Sequence, residues 1–184
     1  MPNWVNNRLE IIGASKEDLD KFYDEVTTDG KLDFNKVIPM PECLNVDSGY
    51  PASAAYKIYL MLKNKYKSEY IIRKHFLTDN NELMNDLNYR EKCYETGKRY
   101  YDNKIETGYT DWYSWRHDNW GTKWNSYENL NYETTRYIYI EFQTAWSPPY
   151  NIIEKLAQKY DFELSYAESK IYNPYWGRDS PYPC

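Results

Sequence analysis

The stretch Arg136-Tyr137-Ile138-Tyr139-Ile140-Glu141-Phe142-Gln143-Thr144-Ala145-Trp146-Ser147-Pro148-Pro149 decides the fold. From Arg136 to Phe142 the side chains alternate: Ile138, Ile140 and Phe142 share one side, and Tyr137, Tyr139 and Glu141 the other. Alternation with period two marks a strand that buries one face. Thr144 to Pro149 reads as a strand end and a helix start. Ser147 takes the N-cap position and Pro148 the first helical one, where the missing N–H is no loss. Ile152, Ile153, Leu156 and Tyr160 then form the apolar stripe of a helix, and Phe162, Leu164 and Tyr166 alternate again as a strand. The stretch and its continuation are a β-α-β unit.

The opening of the chain has the same order. Val5, Leu9 and Ile11 alternate with Trp4, Asn6, Arg8 and Glu10, which predicts a half-buried strand. Ser15 caps a helix with acids in its first turn and a stripe of Leu19, Phe22, Tyr23 and Val26. Asp29-Gly30 ends it, and Leu32, Phe34 and Val37-Ile38 read as a second strand closed by Pro39-Met40-Pro41. Two β-α-β units of this kind predict an α+β domain of the ferredoxin-like type, an antiparallel βαβ…βαβ sheet with two helices on one face.

Between the two units the period becomes helical. Ala55, Ile58, Tyr59, Leu62 and Tyr66 make one stripe, and Ser68 precedes a second with Ile71, Ile72 and Phe76. Asn80 or Asn81 is placed to cap a third helix carrying Leu83, Met84, Leu87, Tyr94 and Tyr101, with Gly97 as a weak point. Charge shifts in the same place: residues 51–104 hold 11 basic and 7 acidic side chains, whereas both flanks are acidic. The reading is one domain over 1–184, with a helical insertion at about 50–104 packed on its host.

Composition removes several function classes. The net charge is −5, which argues against a basic nucleic-acid coat or a polybasic membrane binder. No run approaches the length of a membrane span, and the start of the chain has no apolar signal core. Cys43, Cys93 and Cys184 are scattered and form no C-x-x-C pair, as expected of reduced thiols in a cytoplasmic protein. The two histidines, His75 and His117, have no cysteine at ligand spacing, so no metal and no cofactor is expected. No G-x-S-x-G elbow and no phosphate-cradling glycine motif exists; an enzyme would have to use His117 and Asp118.

Aromatic residues make up 18% of the chain, with 22 Tyr and 7 Trp against 5 Phe. Four Trp fall within Trp112 to Trp124, inside a Trp-rich segment at 111–125. These rings either roof the core or form a recognition surface, since Trp, Tyr and Arg dominate interface hot spots. The candidate binding residues there are Trp112, Trp115, Arg116, Trp120, Lys123 and Trp124. On the open face of the sheet they are Trp4, Arg8, Tyr137 and Tyr139, placed as in modules that stack bases. Glu10 and Glu141 on that same face oppose a nucleic acid.

Four blocks resemble the YubB-type ferredoxin-like domain family: Pro2 to Asn7, Val37 to Glu42, Asn119 to Asn125, and Phe142 to Pro149. They stand in the family's order, and the resemblance covers residues 2–42 and roughly 111–168. It implies the fold and a plasmid or phage context, and it carries over no catalytic residue. The tail from Ile171 to Gly177 departs from the family's Gly- and acid-rich ending. The expectation is a non-enzymatic accessory protein of a mobile element that binds a host protein or complex and inhibits an anti-phage defence. Single-stranded nucleic-acid binding through the aromatic sheet face is the alternative, and an enzyme at His117 and Asp118 a further one.

Overall fold

The computed structural model describes residues 3–12, 15–78, 87–133, 136–161 and 163–170. Phe162, the caps at Asn80 and Asn81, Leu83, Met84, the tail from Ile171 and Cys184 lie outside the described residues. The chain divides into two compact units, Met1–Pro39 with Arg116–Cys184, and Met40–Trp115.

In the first unit four strands form one antiparallel sheet: β1 (Trp4–Ile12), β4 (Tyr127–Glu133), β5 (Tyr137–Ala145) and β6 (Glu163–Lys170), in the order β4-β5-β1-β6. β1 lies centrally, with Leu9 opposite Ile140 on one side and opposite Tyr166 on the other. Val5, Leu9, Ile11, Ile138, Ile140 and Phe142 are buried on the face the alternation assigned to the core. Two helices cover that face with the predicted stripes. α1 (Lys16–Val26) buries Leu19, Phe22 and Val26, and α7 (Tyr150–Lys159) buries Ile152, Ile153 and Leu156. Each such side chain is worth about 1.5–3 kcal/mol when fully removed from water, so this face is a large source of stability for the unit. Ser15 caps α1 as expected, its hydroxyl accepting from the Asp18 N–H.

The second strand is where the sequence reading needs correction. Leu32 to Ile38 was expected to supply it, but only Lys31–Leu32 (β3) is extended, paired with Thr27–Thr28 (β2), and Phe34–Val37 is a short helix, α2. Asp29 and Gly30 both adopt positive φ, 51° and 74°, so this Asp-Gly pair makes a two-residue hairpin turn. The Asp33 carboxylate then accepts from the Asn35 N–H and starts α2. Phe34 meets Trp120 and Phe142 edge-on at 5.8 and 5.9 Å. Two asparagines replace the missing ladder: Leu32 N–H donates to Asn129 Oδ1 at 3.1 Å and Phe34 N–H to Asn125 Oδ1 at 2.8 Å. The second strand of the sheet is β4, which follows the helical unit instead of preceding it.

Two smaller boundaries also move. α7 begins at Tyr150 after Pro149, so Ser147 is not its cap; the Ser147 hydroxyl donates to the Gly121 carbonyl instead. The Trp-rich segment contains a helix, α6 (Trp112–Trp120), that periodicity did not indicate, and the division between the two units falls within it.

The second unit is helical: α3 (Tyr50–Tyr66), α4 (Glu69–Thr78) and α5 (Leu87–Thr107). Tyr59, Leu62, Ile72, Phe76 and Tyr94 form its core. Both buried phenols donate to Glu69, Tyr59 at 3.1 Å and Tyr94 through the other carboxylate oxygen. Gly97 is not a weak point. A Cβ there would stand 2.6 Å from the Ala55 carbonyl oxygen and 2.8 Å from Tyr59 Cβ, so α3 and α5 meet backbone to backbone. Among the described residues no helix is long and apolar enough to cross a membrane.

Candidate binding surface

The core face of the sheet is sealed by α1 and α7. The opposite face carries the outward residues of β1 and β5 at its centre. Asn6 is paired with Gln143, Arg8 with Glu141 and Glu10 with Tyr139 across the β1–β5 register. The Arg8 guanidinium lies over the Tyr139 ring at 4.5 Å, and its charge is also met by Glu10 at 3.7 Å. The Tyr139 hydroxyl donates to Glu141, a bond that holds the phenol above its ordinary pKa. Gln143 donates to Asn6 Oδ1 at 3.1 Å. A shallow groove of about 420 Å³ runs over this face between Arg8, Leu130, Glu141 and Ala167. Leu130, Tyr127 and Tyr137 are 49%, 51% and 40% exposed, so the described residues leave the face open.

At one corner of the sheet the aromatics gather. Trp4 stacks on Tyr127 at 4.9 Å and 16°, and its ring centroid is 6.1 Å from Trp124. Lys123 Nζ lies 4.2 Å from the Trp124 ring and 5.9 Å from the Trp146 ring. The backbone explains the gathering. Trp4 is opposite Ala145, and the Trp146 N–H donates to the Asn3 carbonyl at 2.8 Å, which places Trp146 beside the start of β1. Trp146 has a φ of 72°, a left-handed conformation that breaks the strand there. The loop bearing Lys123 and Trp124 is fastened to the end of β5: Thr122 donates to the Ala145 carbonyl at 2.9 Å, and Ser147 donates to the Gly121 carbonyl. Gly121, with φ of 80°, passes so close to Pro148 that a Cβ would stand 3.0 Å from its carbonyl oxygen.

The sequence-derived candidates separate into groups. Trp4, Lys123 and Trp124 come together at the corner, and Arg8 and Tyr139 on the adjoining face, with Tyr137 exposed further along β5. Trp115 and Trp120 are buried, and neither offers ring surface to a partner. Trp120 Nε1 donates to the Ile38 carbonyl at 2.9 Å, and Arg116 lies over its ring at 4.7 Å, with burial pulling the guanidinium below its ordinary pKa. Trp112 is half-buried against Tyr113 in the helical unit. Tyr127 and Trp146 were missed. Tyr127 sits on the strand that alternation failed to reveal, and Trp146 was read as a strand terminus; the Trp-rich sequence on both sides was the signal.

His117 Nδ1 stands 3.6 Å from Asp118, with both side chains more than half exposed. The two residues are adjacent in sequence, and the pair lies at the surface. Among the described residues no cluster of three His, Cys, Asp or Glu side chains is placed to hold a metal ion.

The order β4-β5-β1-β6, with two helices on one face and the other face open, defines a ferredoxin-like α+β domain. Residues 119–179 match the family model described as the ferredoxin-like domain in Api92-like protein. The match runs from the last residues of α6 through β4, β5, α7 and β6, and so includes Lys123, Trp124, Tyr127 and Trp146 of the corner but not Trp4. No curated protein and no solved structure matches the chain.

Proposed function

We propose that this protein is a non-enzymatic binding module that engages a partner protein through the aromatic corner and the open sheet face beside it. The observation that carries the reading is the solvent-facing cluster of Trp4, Trp124, Tyr127 and Trp146 around Lys123. Trp124, Tyr127 and Trp146 are 37%, 51% and 53% exposed, and clustered exposed apolar rings mark interaction sites. Large aromatic rings also supply contact area at low entropy cost. The face next to the corner mixes Arg8 with Glu10, Glu128 and Glu141, which suits a polar rim and opposes a phosphate backbone. The process is proposed from the resemblance alone: the blocks shared with plasmid and phage domains support an accessory role on a mobile element, in which the bound host protein belongs to an anti-phage defence.

The test is capture from a nuclease-treated bacterial host lysate with the wild-type chain and with Trp124→Ala/Trp146→Ala. A stoichiometric protein recovered by the first and lost by the second, at unchanged circular dichroism, supports the reading. Equal recovery by both removes the corner from it. Binding that appears only without nuclease, and falls steeply with salt, replaces it with single-stranded nucleic-acid binding.

A further inference from the structure

The helical unit contains a concavity of its own. We propose that it is a binding groove for a small organic phosphate of nucleotide size. The groove is about 650 Å³ and is formed by the Asn45–Ser48 loop, the start of α3 and one face of α5. Pockets that enclose small molecules span about 300–1,000 Å³, so the space is adequate.

Its construction follows from residue spacing. Tyr89, Lys92, Thr96 and Arg99 are separated by three, four and three residues and therefore share one face of α5. The facing part of α3 offers only Pro51, Ala52 and Ala55, whose short side chains leave the volume empty. The backbone contact between Gly97 and Ala55 fixes the two helices at the inner end.

The charge in the groove is not used by the fold. Lys92 and Arg99 have no ion-pair partner among the described residues, whereas the acids of the neighbouring turns are engaged elsewhere. Glu91 and Glu95 hold Arg73, and Asp102 holds Lys98. Among the residues lining the groove, Asp47 is the single carboxylate. Seven residues of helix separate Lys92 from Arg99 by about 10 Å along the axis, so two long side chains converge on one phosphate or hold two. Ser48 and Thr96 add hydroxyl donors. Tyr89, half-exposed at the rim with its hydroxyl bonded to Cys93, supplies a flat apolar surface for the organic part. Two cations with no ion pair among the described residues, hydroxyls and an aromatic wall in one groove fit a phosphate ester better than a metal ion, which would need carboxylates, or a neutral molecule, which would leave the cations idle.

The experiment is isothermal titration of the full chain with ADP and, separately, with inorganic pyrophosphate at low salt. ADP is expected to saturate one site. Lys92→Ala and Arg99→Ala, both exposed side chains, each weaken it by about tenfold or more, and the double variant abolishes it. Tyr89→Ala reduces ADP to the affinity of pyrophosphate. No saturation by either ligand at millimolar concentration overturns the proposal, as does binding that both charge variants leave unchanged. Equal affinity of the wild-type chain for ADP and pyrophosphate overturns the nucleotide-size assignment. Trp124→Ala/Trp146→Ala is expected to retain ADP binding, so failure of the aromatic corner as a partner surface leaves this result standing.

Discussion

Asn7 and Tyr166 meet inside the sheet: the tyrosine hydroxyl donates to Asn7 Oδ1 at 2.7 Å, from the strand next to it. The amide nitrogen is also fully used, donating to the Val5 carbonyl at 2.9 Å, to Thr144 Oγ1 at 3.0 Å and to the Phe142 carbonyl at 3.3 Å. A polar side chain that is 2% exposed on the core face of a central strand is therefore satisfied from three strands at once. Burial, with Glu168 nearby, also pushes the Tyr166 phenol well above its ordinary pKa. Asn7→Ala removes every one of these bonds and opens a small cavity, and is expected to destabilise by about 2–4 kcal/mol in urea unfolding. Tyr166→Phe, which leaves the amide its other partners, is expected to cost only about 1 kcal/mol.

Gly97→Ala tests the close crossing of α3 and α5. In a free helix the substitution would stabilise, because alanine is the better helix former. Here the added methyl meets backbone 2.6 Å away, which cannot rotate aside. The expected outcome is a loss of about 1–3 kcal/mol, read from chemical denaturation followed by helical ellipticity.

The tryptophans are expected to divide into two classes. Trp120, buried and bonded to Ile38, holds α6 against Phe34, so Trp120→Ala should cost about 3–5 kcal/mol. Trp146, 53% exposed, should leave the melting temperature almost unchanged when replaced by Ala. Thermal unfolding of the two variants side by side decides whether the rings were assigned correctly.

The helical unit is expected to lose stability in alkali. Burial first, and then Glu69, hold the Tyr59 and Tyr94 hydroxyls above their ordinary value of 10.0; burial and Asp111 do the same for Tyr100. The folded state thus favours the neutral phenols. The stability they contribute is complete below pH 10 and is lost as the pH rises through the folded-state values. A phenolate absorbance titration should show these groups ionising only as ellipticity falls. Glu69→Gln removes the carboxylate and should move that onset to lower pH.

Much of this architecture is written in period-two and helical alternation. β1, β5, α1 and α7 follow it closely because each buries one face against the same core, and the helical stripes around Tyr59 and Ile72 do likewise. β4 escaped because its sequence, Tyr127-Glu128-Asn129-Leu130-Asn131-Tyr132-Glu133, lies at a sheet edge, and a bulge between Tyr127 and Leu130 interrupts its register. An edge strand that contributes few side chains to the core has no strong pattern to show. The false strand at Leu32–Ile38 has the opposite cause: its apolar residues do enter the core, but from a hairpin and a turn of helix set by Asp29-Gly30 and Asp33. For the candidate surface, composition drew attention to aromatic residues but carried no information on their exposure. Trp115 and Trp124 look alike in sequence, and only the three-dimensional packing separates a buried ring from a surface one.

The central position of β1 also sets an order of events during synthesis. Asn7 pairs with residues around Phe142, 135 positions later, and with β6 beyond that. While the ribosome makes the helical unit, this strand has both edges unpaired, and its apolar face, with α1 already made, still waits for α7 and the partner strands. β4 and β5, close neighbours in the chain, are able to form their hairpin quickly and offer β1 one edge; the other stays open until β6 emerges. The nascent chain thus carries β1 as an adhesive segment until those partners emerge, of the sort that holding chaperones protect. Slowing translation in the middle of the message would lengthen that exposure, and the yield of soluble protein should fall with it.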